Sequence, residues 1–133
     1  MNETSPPQIP ASVGELYDKL TILEIKAARI TDAARLRHVT HELALLRAVE
    51  KNCASTDTRH MQLFAELKRV NEALWDIEDA IRNCERRQEF GTEFIALARS
   101  VYKTNDKRSA LKNEINLLHK SEIVEQKSYS PYG

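Results

Sequence analysis

The sequence predicts an all-α protein, a four-helix bundle, and three observations lead to that class. No proline occurs between Ala11 and Ser130. The chain has only three glycines, at positions 14, 91 and 133. Apolar residues recur at intervals of three and four along this stretch, and such spacing places them on one stripe of an α-helix.

The first two predicted helices form a short antiparallel hairpin. Ser12 with Glu15 three residues later matches a capping box, so the first helix is predicted over 12–30. Asp32 then offers a new N-cap, and the second helix is predicted over 32–51. Their apolar stripes are Val13, Leu16, Leu20, Leu23, Ala27 and Ile30 on the first helix, and Leu36, Val39, Leu43 and Leu46 on the second.

Two longer helices follow as a second antiparallel hairpin. A cap at Thr56 or Asp57 starts the third helix, predicted over 57–88. Gly91 is expected to break it, because glycine adopts the left-handed conformation common past a helix end. The fourth helix is predicted over 92–119, and the tight turn makes the two helices antiparallel neighbours.

The chain length and the distribution of prolines predict one domain with two flanking segments. Three of the four prolines lie in a lead-in over 1–11, the bundle covers 12–120, and an extended tail covers 121–133. The lead-in lacks the apolar segment of a signal peptide, and no run approaches the ~18 apolar residues of a membrane span. We therefore expect a cytoplasmic protein without a membrane partner.

The composition argues against several function classes. Lys plus Arg equals Asp plus Glu at 20 each, whereas nucleic-acid binders usually carry a basic excess, so no nucleic-acid partner is expected. The sequence has no glycine-rich phosphate loop and no nucleophile elbow. His38 and His41 share a helical face without a nearby third ligand. We therefore predict neither a metal nor a cofactor.

The apolar stripe of the fourth helix becomes polar in its middle, where Thr104 and Arg108 stand at expected apolar positions. A buried guanidinium is unfavourable unless it is paired. In a hairpin that turns near residue 90, positions equally far from the turn lie at the same level. Arg108 is thus expected near Asn71 and Glu72, with Glu78 as a further carboxylate partner.

Eight residues on the facing polar stripes are the candidates for a binding site. They are Asn71, Trp75, Glu78 and Arg82 on the third helix, and Tyr102, Asn105, Arg108 and Lys112 on the fourth. They fit a polar layer that fixes helix register. They also fit a pocket in which cations clamp a small polar or anionic ligand and Trp75 stacks on it. A surface for another protein is the third interpretation, and no catalytic residue is assigned.

Four long motifs are similar to a family of short bacterial helical proteins known only as a domain of unknown function. The motifs are GELYDKLTILEIK at 14–26, VNEALWDIEDAIR at 70–82, FIALARSVYKTNDKR at 94–108 and IVEQKSY at 123–129. The resemblance spans nearly the whole chain and implies a bacterial, stand-alone helical domain. It implies no activity and no catalytic residues.

Two enzyme classes share single features with the chain. Residues 77–82, with Arg99, Arg108 and Lys112 downstream, resemble helical chorismate mutases, which are intertwined dimers that bind a dicarboxylate through Arg and Lys. Glu15 and Asp18 on one helical face, like the Asp76 and Asp79 pair, resemble the magnesium-binding carboxylates of helical nucleotide pyrophosphohydrolases. Both likenesses imply a helical dimer that binds a small anion or a sugar nucleotide.

The favoured interpretation is a non-enzymatic oligomerisation or interaction module. The short hairpin cannot cover the whole apolar stripe of the long hairpin. Another chain or the tail must cover the remainder, and a homodimer is the simplest solution. The alternatives that stay open are a different protein partner and the small-anion or sugar-nucleotide site.

Overall fold

The structure, a computed structural model that describes residues 4–132, consists of four α-helices in that range and contains no strand there. The helices are α1 (Val13–Arg29), α2 (Ala33–Glu50), α3 (Thr58–Arg87) and α4 (Thr92–Leu118). The predicted all-α class is confirmed. Residues 1–3 of the predicted lead-in and residue 133 of the predicted tail lie outside the described residues.

Three of the predicted helix starts carry the expected side-chain caps. The Ser12 hydroxyl accepts a hydrogen bond from the backbone N–H of Glu15 at 3.1 Å. Asp32 caps α2 in the same way, and Asp57 caps α3 by accepting from the Arg59 N–H at 2.7 Å. These caps satisfy backbone donors that have no partner inside the helix.

The turn between α3 and α4 differs from the prediction, because the left-handed residue is Gln88 and not Gly91. Gln88 adopts the left-handed conformation, with a φ of 56°, whereas Gly91 has a φ of −87°. The N–H groups of Gln88 and Glu89 donate to carbonyls of the last turn of α3, as in a Schellman-type end. Helix α3 therefore ends before the glycine, which serves as the N-cap of α4.

Helix α1 lies at the centre of the packing. It contacts α2, α3 and α4, whereas the backbone of α2 lies close to α1 alone among the described helices. The fully buried core belongs to α1, α3 and α4: Tyr17, Leu20, Leu63, Leu67 and Ile115. The bundle is thus a three-helix core with α2 attached to the outer side of α1 through residues such as Leu43 and Leu46.

The two hairpins differ in length, as predicted. Helix α1 has 17 residues against 30 in α3 and 27 in α4. The start of α1 lies at Asn116 of α4, and its last residue, Arg29, pairs with Asp76 of α3 at 2.6 Å. Beyond Asp76 the last turns of α3 pack against α4 without a third described helix. None of the helices in the described range is long and apolar enough to cross a bilayer.

Candidate functional site

A buried carboxylate, Asp18, lies where α1 crosses the long hairpin. Its side chain is 1% exposed. The Arg108 guanidinium of α4 donates two hydrogen bonds to it, from Nε to Oδ1 at 2.9 Å and from Nη2 to Oδ2. This fork-to-fork geometry is the strong, oriented form of an arginine–carboxylate pair. It joins α1 to α4.

Asn71 adds α3 to the same network. Its amide nitrogen donates to Asp18 Oδ1 at 2.9 Å and to the Thr21 hydroxyl at 2.8 Å. The Thr21 hydroxyl in turn donates to the backbone carbonyl of Asp18 at 2.7 Å. Asn71 and Thr21 are both buried. Three helices therefore meet at one carboxylate, and we call Asp18, Thr21, Asn71 and Arg108 the polar layer.

The pKa values in the polar layer follow from these contacts. Burial alone would raise the pKa of Asp18, but the hydrogen bonds from Arg108 and Asn71 outweigh it and lower the pKa below its ordinary value. The Asp18 hydrogen bond likewise raises the pKa of Arg108. The pair is thus fully ionised at neutral pH.

Lys112, one helical turn beyond Arg108, links the C-terminal tail to the bundle. Its side chain is 10% exposed, and its ammonium donates to Glu15 of α1 and to Glu125 of the tail, both at 2.8 Å. Burial would lower the pKa of Lys112, but the two carboxylates raise it above its ordinary value. The ammonium is therefore neutralised by two partners.

Gly14 marks the closest approach of α1 to α4. Its N–H donates to the side-chain oxygen of Asn116 at 2.6 Å. A Cβ at this position would lie 2.4 Å from the backbone oxygen of Lys112 and 2.9 Å from the Asn116 side-chain oxygen. The glycine is therefore required by the contact. The sequence did not predict this, and its only signal was a glycine inside the first helical turn.

Tyr17 and two histidines form a second buried cluster at the end of the bundle. The Tyr17 ring lies 4.6 Å from the His60 ring, 5.7 Å from Phe64 and 5.9 Å from His119, measured between centroids. Nδ1 of His60 and Nε2 of His119 lie 2.8 Å apart. The Tyr17 hydroxyl has no hydrogen-bond partner in the described part of the chain, and burial raises its pKa above the ordinary value. The sequence did not predict this cluster.

The histidine pair makes the stability of the fold depend on pH. Burial, reinforced by the neighbouring His119, lowers the pKa of His60, although Glu50 and Asp57 oppose the shift. In the unfolded chain His60 has its ordinary pKa of 6.5 and is protonated below that pH, whereas in the folded chain it stays neutral to a lower pH. The free energy of unfolding should hold its full value above that pH and decrease as the pH falls below it.

Urea denaturation at pH 7.5 and at pH 5.0 tests this expectation. Because the pKa of Asp18 lies below its ordinary value of 3.8, Asp18 stays ionised at both pH values and its contribution to stability does not change between them. His60→Gln should reduce the loss of stability at the lower pH, whereas the exposed His38→Gln should leave it unchanged. Equal stability of the unmodified protein at the two pH values would contradict the assignment.

The structure brings three of the eight sequence-predicted candidates together. Asn71 and Arg108 lie at the same level of the α3–α4 hairpin, as predicted, and both donate hydrogen bonds to Asp18. Lys112 lies one helical turn beyond Arg108. The expected partners of Arg108 were wrong, because α1 lies across the hairpin and supplies Asp18 instead of Glu72 or Glu78.

The other five candidates lie apart from the polar layer. Trp75 lies beneath the Arg29 guanidinium at 5.7 Å. Glu78 and Arg82 form a surface pair at 3.1 Å, with side chains 57% and 75% exposed. Tyr102 packs against Tyr132 of the tail, with 5.1 Å between the ring centroids, and Asn105 is half-buried in α4.

The charged side chains in and next to the polar layer are already paired with one another. Glu15 and Asp18, the pair compared with magnesium ligands, are occupied by Lys112 and Arg108. Among residues 4–132 no group of three or more His, Cys, Asp or Glu side chains is arranged to hold a metal ion. The two cations and their three carboxylate partners form a closed set of ion pairs across α1, α4 and the tail.

Comparisons with known proteins place the chain in a family. Neither the comparison with curated proteins nor the comparison with solved structures found a match. The four motifs noted in the sequence all fall within residues 8–132, the segment that the model of one protein family matches. The chain therefore belongs to the family of unknown function DUF6165.

Proposed function

We propose that the protein is a non-enzymatic helical module that functions as a homodimer. The observation that carries the proposal is the outward face of the α3–α4 hairpin, which no described helix covers and along which the tail lies only beside α4. Helix α1 packs on one side of this hairpin, and no described helix packs on the other side. A shallow groove between α3 and α4 is lined by four apolar side chains, Val70, Ala73, Ala110 and Leu111, and by four polar or charged ones, Glu66, Arg69, Thr104 and Lys107.

The closed polar layer supports a structural role for the charged residues. Asp18, Arg108 and Asn71 satisfy one another, as expected of groups that fix the register of three packed helices. A buried ion pair is weak evidence for added stability, and fixing the register of packed helices is its best-attested role. The residues that looked like a ligand clamp thus serve the assembly of the bundle.

The binding alternative has less support. A small anion or sugar nucleotide would need free cations, whereas Arg108 and Lys112 are each held by carboxylates. Binding would have to displace Asp18, Glu15 or Glu125 and leave a carboxylate unpaired. That exchange is unfavourable for a buried group.

The proposed setting is the bacterial cytoplasm. Both cysteines, Cys53 and Cys84, are free thiols, which agrees with a reducing compartment. The bacterial part of the proposal rests on the motifs shared with short bacterial proteins.

Light scattering coupled to size-exclusion chromatography tests the dimer. We expect a species of about twice 15.3 kDa at a protein concentration of tens of micromolar, dissociating on dilution. A single species at the monomer mass over the whole concentration series would overturn the proposal.

A further inference from the structure

We propose that the dimer forms through the outward groove of the α3–α4 hairpin, with α3 packed antiparallel against α3 of a second copy around a two-fold axis. This inference rests on the proposed homodimer and specifies its surface. The grooves of the two copies face each other. The two ion pairs described below set the register of α3 against α3 of the second copy.

The groove is shaped for a helical partner. Its volume is about 470 Å³ between α3 and α4, and Leu111 at its floor also packs against the buried core. Ala73 and Ala110 are exposed in it, and Val70 and Leu111 are half-buried at its floor. Small side chains at such positions allow a second helix to approach closely, and the apolar floor supplies area that burial would stabilise.

Two opposite charges on the α3 side of the groove are self-complementary. Glu66 and Arg69 line it on α3, opposite Lys107 of α4, and neither belongs to any ion pair among the described residues. They are three positions apart on one helical face. In a two-fold interface each residue contacts the other member of the pair in the second copy. When α3 packs antiparallel on α3, Glu66 of each copy faces Arg69 of the other.

The surface available in this register is sufficient for a specific dimer. Pairing residue 66 with residue 69 of the second copy overlaps residues 58–77 of the two helices, a length of about 30 Å. A footprint two helices wide, at about 10 Å for each helix, gives at most roughly 600 Å² for each copy, because the tail lies along part of α4. Twice this area is about 1,200 Å², the lower end of specific protein interfaces. We therefore expect a dimer that dissociates on dilution.

Charge reversal tests the pairing. Glu66→Arg and Arg69→Glu each place like charges opposite one another twice, so each should raise the dimer dissociation constant by about tenfold or more. The double variant Glu66→Arg with Arg69→Glu restores both pairs and should return the constant to that of the unmodified protein. Glu85→Arg, the same charge change near the end of α3, should have no effect.

The measurement is the dissociation constant from sedimentation equilibrium, with circular dichroism confirming that each variant folds. Recovery of the dimer in the double variant supports the pairing. If neither single variant raises the dissociation constant, this interface is wrong, although the homodimer itself stands. The same conclusion follows if the double variant has a dissociation constant as high as those of the single variants. An unmodified protein that is monomeric would overturn both the interface and the proposed function.

Discussion

Replacing Arg108 by leucine is expected to lower the free energy of unfolding by about 3–5 kcal/mol, the usual cost of removing one partner of a buried ion pair. Asp18 is 1% exposed and accepts two hydrogen bonds from Arg108. Without the guanidinium its charge would remain buried, and among the described residues only Asn71 would still donate a side-chain hydrogen bond to it. A solvent-exposed partner such as Glu78 would have made the same substitution nearly neutral.

Chemical denaturation at pH 7.5 measures the effect, and two variants serve as controls. Arg82→Leu removes the exposed pair with Glu78 and should cost less than about 1 kcal/mol. Combining Arg108→Leu with Asp18→Asn removes the buried charge and should recover part of the lost stability. A loss below about 1 kcal/mol for Arg108→Leu alone would show that Asp18 reaches water or another cation.

Gly14→Ala is the second substitution with a large expected effect, a loss of about 3 kcal/mol at the upper end of overpacking costs. The added Cβ would lie 2.4 Å from the Lys112 backbone oxygen, and a backbone atom cannot move aside as a side chain can. Helix α1 would have to shift away from α4, which also weakens the hydrogen bond from the Gly14 N–H to Asn116.

The sign of this effect is informative, because alanine normally stabilises a helix by roughly 0.5–1 kcal/mol relative to glycine. Gly91→Ala is the control for an added Cβ without a steric conflict, since a Cβ there would meet no described atom within 4 Å. Because Gly91 is the N-cap of α4 and alanine is a poorer N-cap than glycine, that variant should lose no more than about 1 kcal/mol. Thermal unfolding of the two variants side by side makes the comparison, and a Gly14→Ala protein more stable than the original would refute the close helix contact.

The sequence by itself determined the helices, because the information that specifies them is local. The three- and four-residue spacing of apolar side chains and the absence of interior proline define the helical segments. The caps at Ser12, Asp32 and Asp57 act on neighbouring backbone groups only, so their positions follow from adjacent residues. The position of Asn71 opposite Arg108 also followed from local information, because a short turn between two helices fixes which of their residues lie side by side.

Only the tertiary structure decided which groups meet across helices that are not adjacent in sequence. Asp18 and Arg108 are 90 positions apart, and their contact depends on how α1 crosses the long hairpin, for which no local signal exists. The same holds for Gly14 beside Lys112, for the Tyr17, His60 and His119 cluster, and for α2 on the outer side of α1. Helical periodicity specifies which face of a helix is buried, but the partner of that face is set by the packing of the whole chain.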